Sequence, residues 1–526
     1  MKRSYYKLTA FWLTVMLFFC TCNKENLNLL PLSESEAGFY KDDDQFFMAI
    51  TGAYAELANI YWYGNNNPNH GLWMLPGDDL TSEGDYNFTE FFNHIDPGDN
   101  KIEWIWRVYY GLISRSNLIL EKIEEAPSDP SVHISLETSE KIKGEALFLR
   151  SLAYYKLWNL WGTAPLINKR IKDIGNTEQP NSKVTELLDQ AITDLPLAST
   201  LLPESWNDIN TGRVIRDAAF GLLGKCLVFR ADYYRLSDPG RANSDYLASI
   251  EAFNKITTRS LDGVAFGDNF SYMKENNSES LFEWQASLSH GFEKLWLNND
   301  FDIGGMHSYW GFFNGAWSYW DGHPFIPTQK IINAFEPGDP RIAESFDTTS
   351  DPRFNGYEWL KYVKNLGPDA LTASLNNPRI LRFADILLLK AEAVLQSGGN
   401  KTASIGLINQ VRARARGSSS PVPADHNLNE TNPDTIMQWI MDERFRELSG
   451  EDDHRWFDLK RWHYAGFIDL STWDAGDKGF SSAYPVFGFH DFYEATKGKM
   501  WLPIPESEIE TNRNIIQNDG YSKTAN

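Results

Sequence analysis

The sequence predicts a mainly α-helical protein on three observations. Apolar residues recur at three- and four-residue steps along eight segments, a clear helix stop follows one of them, and one long aromatic, glycine-rich stretch breaks the pattern. In 139–161, Ile142, Ala146, Leu149, Ala153, Leu157 and Leu160 share one face, and Gly162 and Pro165 supply the stop. The same periodicity runs through 39–60, 102–123, 184–198, 214–234, 378–396, 404–416 and 436–448. Antiparallel helix pairs are the natural packing for such segments. Ala153, Ala218, Ala219, Ala384, Ala391 and Ala393 permit close approach as in tetratricopeptide arrays, although no repeat of about 34 residues is visible. Helical parts at about 38–235 and 378–526 thus flank a region at about 236–377 that is rich in Gly, Asn, Asp and aromatics and reads as a loop-rich excursion.

The N-terminus sets where the chain is expected to work. Lys2, Arg3 and Lys7 precede an apolar run at 8–19 that is too short for a stable membrane span, and Cys20 and Cys22 follow. Residues 1–21 read as a lipoprotein signal peptide with Cys22 as the lipidated residue, because the small Thr21 suits cleavage better than Phe19 does. The body is then 22–526, and its remaining thiol, Cys226, has no partner for an intramolecular disulfide. A formal net charge of −22 repels nucleic acid and anionic headgroups, so neither is expected as a ligand.

Within the excursion, Trp296, Tyr309, Trp310, Trp317, Tyr319 and Trp320 alternate with Gly304, Gly305, Gly311, Gly315 and Gly322. That spacing suits neither a helix nor a buried strand. Asn314 and Asp321 stand among the rings. Flat apolar faces beside amides and carboxylates are what a pyranose needs, since its C–H face stacks on indole while its hydroxyls seek polar partners. The competing reading packs part of these rings into a satellite core under long loops.

Catalysis is not expected. Asp78, Asp79, Glu83 and Asp85 cluster in sequence as a glycosidase pair would, but 71 acidic residues make such clusters common. Neither a Gly-x-Ser-x-Gly elbow nor a His-Glu-x-x-His helix is present, and Cys226 lies on an apolar helix face. Asp79, Thr81, Glu83, Gly84, Asp85 and Glu90 follow the ligand spacing of a calcium-binding loop. Thr81 and Glu83 are poor ligands at their positions, however, and 91–98 is not a clean helix, so the segment reads as a solvated acidic loop. No metal or cofactor is expected.

Gly144-Glu145-Ala146-Leu147-Phe148-Leu149-Arg150, continuing to Trp161-Gly162-Thr163-Ala164-Pro165-Leu166, resembles the signature helix of the SusD/RagB family of outer-membrane nutrient-binding lipoproteins. Further ordered blocks are Leu381-Arg382-Phe383-Ala384-Asp385, Ile408-Asn409-Gln410-Val411-Arg412-Ala413-Arg414, Glu443-Arg444 and Arg455-Trp456-Phe457-Asp458-Leu459-Lys460-Arg461-Trp462. The resemblance implies a SusD-like fold of tetratricopeptide-like helix pairs with a loop-rich ligand region, lipid-anchored at the outer membrane and facing the exterior. It also implies a SusC-like TonB-dependent barrel transporter as partner. The function expected is non-catalytic capture of oligosaccharide for that transporter, with peptide or another non-glycan nutrient as the alternative. Tyr86 joins the site residues because its loop resembles the region where family members place a second part of the site. Arg150, Asp385, Arg412, Arg444, Arg455 and Asp458 sit on otherwise apolar helices and are expected to belong to charge pairs that join helices rather than to touch ligand.

Overall fold

The structure, a computed structural model, describes residues 36, 38–60, 63–64, 67–68, 71–81, 95–173, 175, 177–286, 326–351, 356–362, 376–418, 420–452, 454–473, 477 and 500–521. Ten helices longer than ten residues lie among them. The first six are α1 (Asp43–Ile60), α2 (Asn100–Glu125), α3 (Leu136–Trp161), α4 (Glu186–Leu201), α5 (Arg216–Tyr234) and α6 (Pro239–Asn254). They are followed by α7 (Phe383–Gln396), α8 (Lys401–Arg416), α9 (Pro433–Leu448) and α10 (Arg455–Ala465).

Local chemistry sets the ends of α3. The Ser135 hydroxyl accepts from Thr138 N at 3.2 Å to cap the start. At the other end Gly162 turns to φ 70°, and a Cβ there would come within 3.0 Å of the Trp501 ring. Asp99, Asn400 and Asn432 cap α2, α8 and α9 in the same way. Each helix from α1 to α6 packs on the next in sequence, α7 returns onto α5 and α6, and α10 closes against α5. One continuous core runs through the assembly.

Two elements depart from the pattern read in the sequence. Helix α6 lies inside the stretch that reads as loop-rich from its Gly, Asn, Asp and aromatic content. Here Asp238 caps Arg241 N and Pro239 occupies the first helical turn, where its missing N–H is harmless. In the segment 378–396, the first residues form a strand rather than helix. Arg379–Arg382 pairs antiparallel with Ser280–Glu283, and this pairing holds Arg379 beside Glu283 and Arg382 beside Glu279. The block that begins at Arg455 folds as α10.

Besides a two-residue antiparallel pair, Tyr63–Gly64 with Asn67–Pro68, the short strands, in chain order with these two, are β1 (Leu80–Thr81), β2 (Ser280–Glu283), β3 (Ile326–Pro327), β4 (Phe346–Asp351), β5 (Gly356–Trp359) and β6 (Arg379–Arg382). β1 pairs with β3, β2 with β6 and β4 with β5, all antiparallel. No helix among the described residues is long and apolar enough to cross a membrane.

Candidate functional site

The residues expected to contact ligand, Trp296, Tyr309, Trp310, Asn314, Trp317, Tyr319, Trp320, Asp321 and Tyr86, lie outside the described residues, as does Cys22. What the structure places is the root from which their segments start. Thr81 stands opposite Ile326 and Leu80 opposite Pro327. The chain leaves β1 towards 82 and enters β3 from 325, so in this antiparallel pair both segments join the ladder at the same end.

Side chains clamp the ladder from beneath. Thr328 Oγ1 donates to the Asp78 carbonyl at 2.7 Å, and Thr328 N donates to the Asp79 carbonyl at 2.9 Å. At the departure of the aromatic segment, Ala286 N donates to Asn377 Oδ1 at 2.7 Å and Trp284 N to the Pro378 carbonyl at 3.1 Å.

Asp78 and Asp79 are both buried, which overturns the solvated acidic loop for the start of this segment. The reason lies 377 residues away, in Arg455 of α10, whose Nε and Nη2 donate to the two oxygens of Asp78. Lys330, on the short helix Gln329–Ala334, adds a contact of 2.7 Å. Burial alone would raise the Asp78 carboxyl, but Arg455 and Lys330 outweigh it and hold it at about 2. Asp79 has the opposite balance. Burial, with the Asp78 charge beside it, pushes its carboxyl up to about 6 against the Gly450 N–H that donates to Oδ2 at 2.8 Å. Its Oδ1 has no hydrogen-bond partner among the described residues. Gly450 sits at φ 66°, and a Cβ there would lie 2.4 Å from Trp359 Nε1, so a side chain at this position would disturb the Asp79 contact. The other acids of the calcium-loop spacing, Glu83, Asp85 and Glu90, lie outside the described residues. No group of three His, Cys, Asp or Glu among the described residues is placed to hold a metal ion.

Sequence reasoning missed Lys330, Gly450 and Trp473 at this root. Lys330 Nζ lies 4.2 Å from the centre of the Trp473 ring and donates to the Asp477 carbonyl at 2.6 Å. Arg455 was recognisable as a paired charge, but its partner was not.

The signature charges form a scaffold, as their placement on apolar helices implies. Arg150 of α3 grips Asp194 of α4 with two contacts of 2.8 Å. Asp385 of α7 joins Lys225 of α5 at 2.9 Å and Arg444 of α9 at 2.8 Å, and Arg444 continues to Asp458 of α10 at 2.8 Å. Arg412 of α8 reaches Glu443 of α9 at 2.8 Å. Cys226 is buried, and its thiol is pushed up to about 12 by that burial, which removes it as a nucleophile.

A separate cleft of about 1170 Å³ opens between 260–274 and the C-terminal end of α8. Its floor includes Arg341, closed by Asp339, Glu443 and Glu447, and Arg414, closed by Glu279 and Glu447. Phe266 in its wall is buried and Phe383 is partly covered.

Comparison with known proteins gives the same architecture. A SusD-like protein of Formosa agariphila is 26% identical over 82% of this chain and 86% of its own. A laminarin-binding SusD-like protein superposes with a TM-score of 0.68 at 21% identity, covering 92% of this chain and 100% of that one. Surface glycan-binding protein A from Bacteroides thetaiotaomicron superposes with a TM-score of 0.69 at 20% identity, covering 91% and 100%. The family profile described as starch-binding, associating with outer membrane, matches residues 49–228, and the profile of the SusD family matches 349–521. These two matches span the helical array on both sides of the aromatic segment, and the chain belongs to the SusD family.

Proposed function

We propose that this SusD-like chain is a non-catalytic cell-surface lipoprotein that binds extracellular oligosaccharide or polysaccharide and delivers it to a SusC-like TonB-dependent barrel in the outer membrane. Residues 1–21 are its signal peptide, Cys22 carries the lipid, and the ligand region lies within 236–377. Trp296, Tyr309, Trp310, Trp317, Tyr319 and Trp320 supply stacking faces, with Tyr86 from the neighbouring segment, and Asn314 and Asp321 bind hydroxyls.

One observation carries this reading: the segments holding Tyr86 and the Trp cluster start from the same end of one two-stranded ladder, although about 200 residues separate them in sequence. Two aromatic-bearing segments with a common root can present faces to one ligand. The laminarin-binding and surface glycan-binding neighbours support a glycan, and the family description supports the outer membrane.

The test is calorimetry of the wild-type protein with neutral oligosaccharides from several polysaccharides, alongside peptides, at low and high salt. A neutral glycan should bind with an affinity that salt leaves largely unchanged, because no counterions are released. Binding of peptides and of no glycan would replace the sugar by a peptide nutrient. Replacing Cys22 by Ala should release folded protein from the membrane fraction, and retention there would refute the anchor assignment.

A further inference from the structure

Lys330 makes more connections than its neighbours need. Asp78 already receives two N–H groups from Arg455, one on each oxygen, so its charge is matched without a second cation. Lys330 nevertheless lies 2.7 Å from Asp78, donates to the Asp477 carbonyl at 2.6 Å and rests 4.2 Å from the Trp473 ring centre. About a third of its side chain is exposed, whereas Asp78 is almost completely buried.

Each contact belongs to a different stretch of chain. Asp78 lies two residues before Leu80, the first residue of β1, and the chain runs on from β1 to 82. Lys330 itself follows β3, which the chain enters from 325. Trp473 and Asp477 belong to a third stretch, beyond α10. One ammonium group therefore ties a C-terminal strap to the common root of both ligand segments. An ammonium carries three donors and no acceptor, so a carboxylate, a carbonyl and an indole ring can all engage it at once.

We propose that Lys330 is a positioning residue for ligand capture: it holds Trp473 and Asp477 against the β1–β3 root and so sets the registry in which the two ligand segments leave it. This rests on the glycan-binding reading above for what is captured, but the tie itself is independent of the ligand. Because Arg455 continues to satisfy Asp78, loss of the Lys330 charge should loosen the root without unfolding the helices.

The experiment compares the wild-type chain with Lys330→Met, which keeps an apolar stem over Trp473, and Lys330→Arg, which keeps charge and donors. Two readouts are taken on each: affinity for the oligosaccharide that the wild type binds, and amide hydrogen exchange at 78–81, 326–331 and 473–477 in the ligand-free protein. Lys330→Met should weaken affinity about fivefold, the share of a partly exposed ion pair, and raise exchange in all three stretches together. Its Tm should shift by less than about 2 °C, and Lys330→Arg should restore both affinity and protection. Unchanged exchange in Lys330→Met overturns the tie. Raised exchange with unchanged affinity overturns the role in capture while leaving the tie. A wild-type protein that binds no oligosaccharide overturns the glycan reading and the capture role with it, and the exchange result still decides the tie.

Discussion

The helical interior and the root of the ligand segments use the same side chains to different ends. Between α5, α7, α9 and α10, Asp385 meets Lys225 and Arg444, and Arg444 passes on to Asp458, so each of these four buried charges has an opposite neighbour within 3 Å. Burial would raise the Asp385 carboxyl, but Lys225 and Arg444 together hold it far below the usual carboxylate range. At the root the matching is incomplete. Asp78 takes Arg455 and Lys330, while Asp79 keeps one backbone N–H and an unmatched oxygen and rises to about 6. A matched network holds helices together, whereas an unmatched buried carboxylate oxygen such as that of Asp79 costs stability where it sits.

Breaking a closed network should have the largest effect. Asp385→Ala strands Lys225 and Arg444 in the interior and should lower stability by about 3–5 kcal/mol, read by thermal or denaturant unfolding. Arg150→Ala strands Asp194 alone, at a more open position near the surface, and should fall at the lower end of that range or below it. In both variants that remain folded, affinity for ligand should be unchanged. A loss of affinity with an unchanged Tm would move these residues from the scaffold to the site.

Relieving the open network should act in the opposite direction. Because the folded carboxyl of Asp79 titrates near 6, above its ordinary value of 3.8, its protonated form favours folding. That contribution is fully present below about pH 4 and is lost as pH rises through 6. Asp79→Asn, which keeps an acceptor for Gly450 N, should therefore stabilise the protein above pH 6 by up to about 3 kcal/mol and by nothing below about pH 4. Unfolding curves from pH 4 to pH 8 check this, and a pH-independent difference would contradict it.

The smallest stability effects belong to the aromatic segment. Trp310→Ala, Trp317→Ala and Trp320→Ala should each change stability by no more than about 0.5 kcal/mol while weakening oligosaccharide binding. A core aromatic offers the contrast: Trp158→Ala removes a buried ring from α3 and should lower stability by about 3–5 kcal/mol.

The helices were legible because their signals are local. The apolar face of 139–161, with its Gly162 stop, became α3, and the charged residues on apolar faces were readable as pairs because an unmatched charge cannot stay there. Helix α6 was obscured by the Gly, Asn, Asp and aromatic content of the stretch that holds it, and the residues of Asp238-Pro239-Gly240 serve turns and helix starts alike. The root was illegible for a different reason. Two-residue strands carry no periodicity, and Leu80–Thr81 finds Ile326–Pro327 only through the tertiary fold. Asp78 and Asp79 looked solvated because an acidic, glycine-bearing stretch usually is, and the Arg455 that draws Asp78 inward belongs to another helix near the far end of the chain.

The central claim is that the helical body carries stability and the aromatic segment carries ligand. Its most direct test is one variant with Trp310, Trp317 and Trp320 all replaced by Ala, measured for Tm and for calorimetric affinity towards the oligosaccharide that the wild type binds. Loss of binding with a Tm within about 2 °C of the wild type is the predicted result. Retained affinity, or a collapse in Tm that marks the three rings as core, would contradict it.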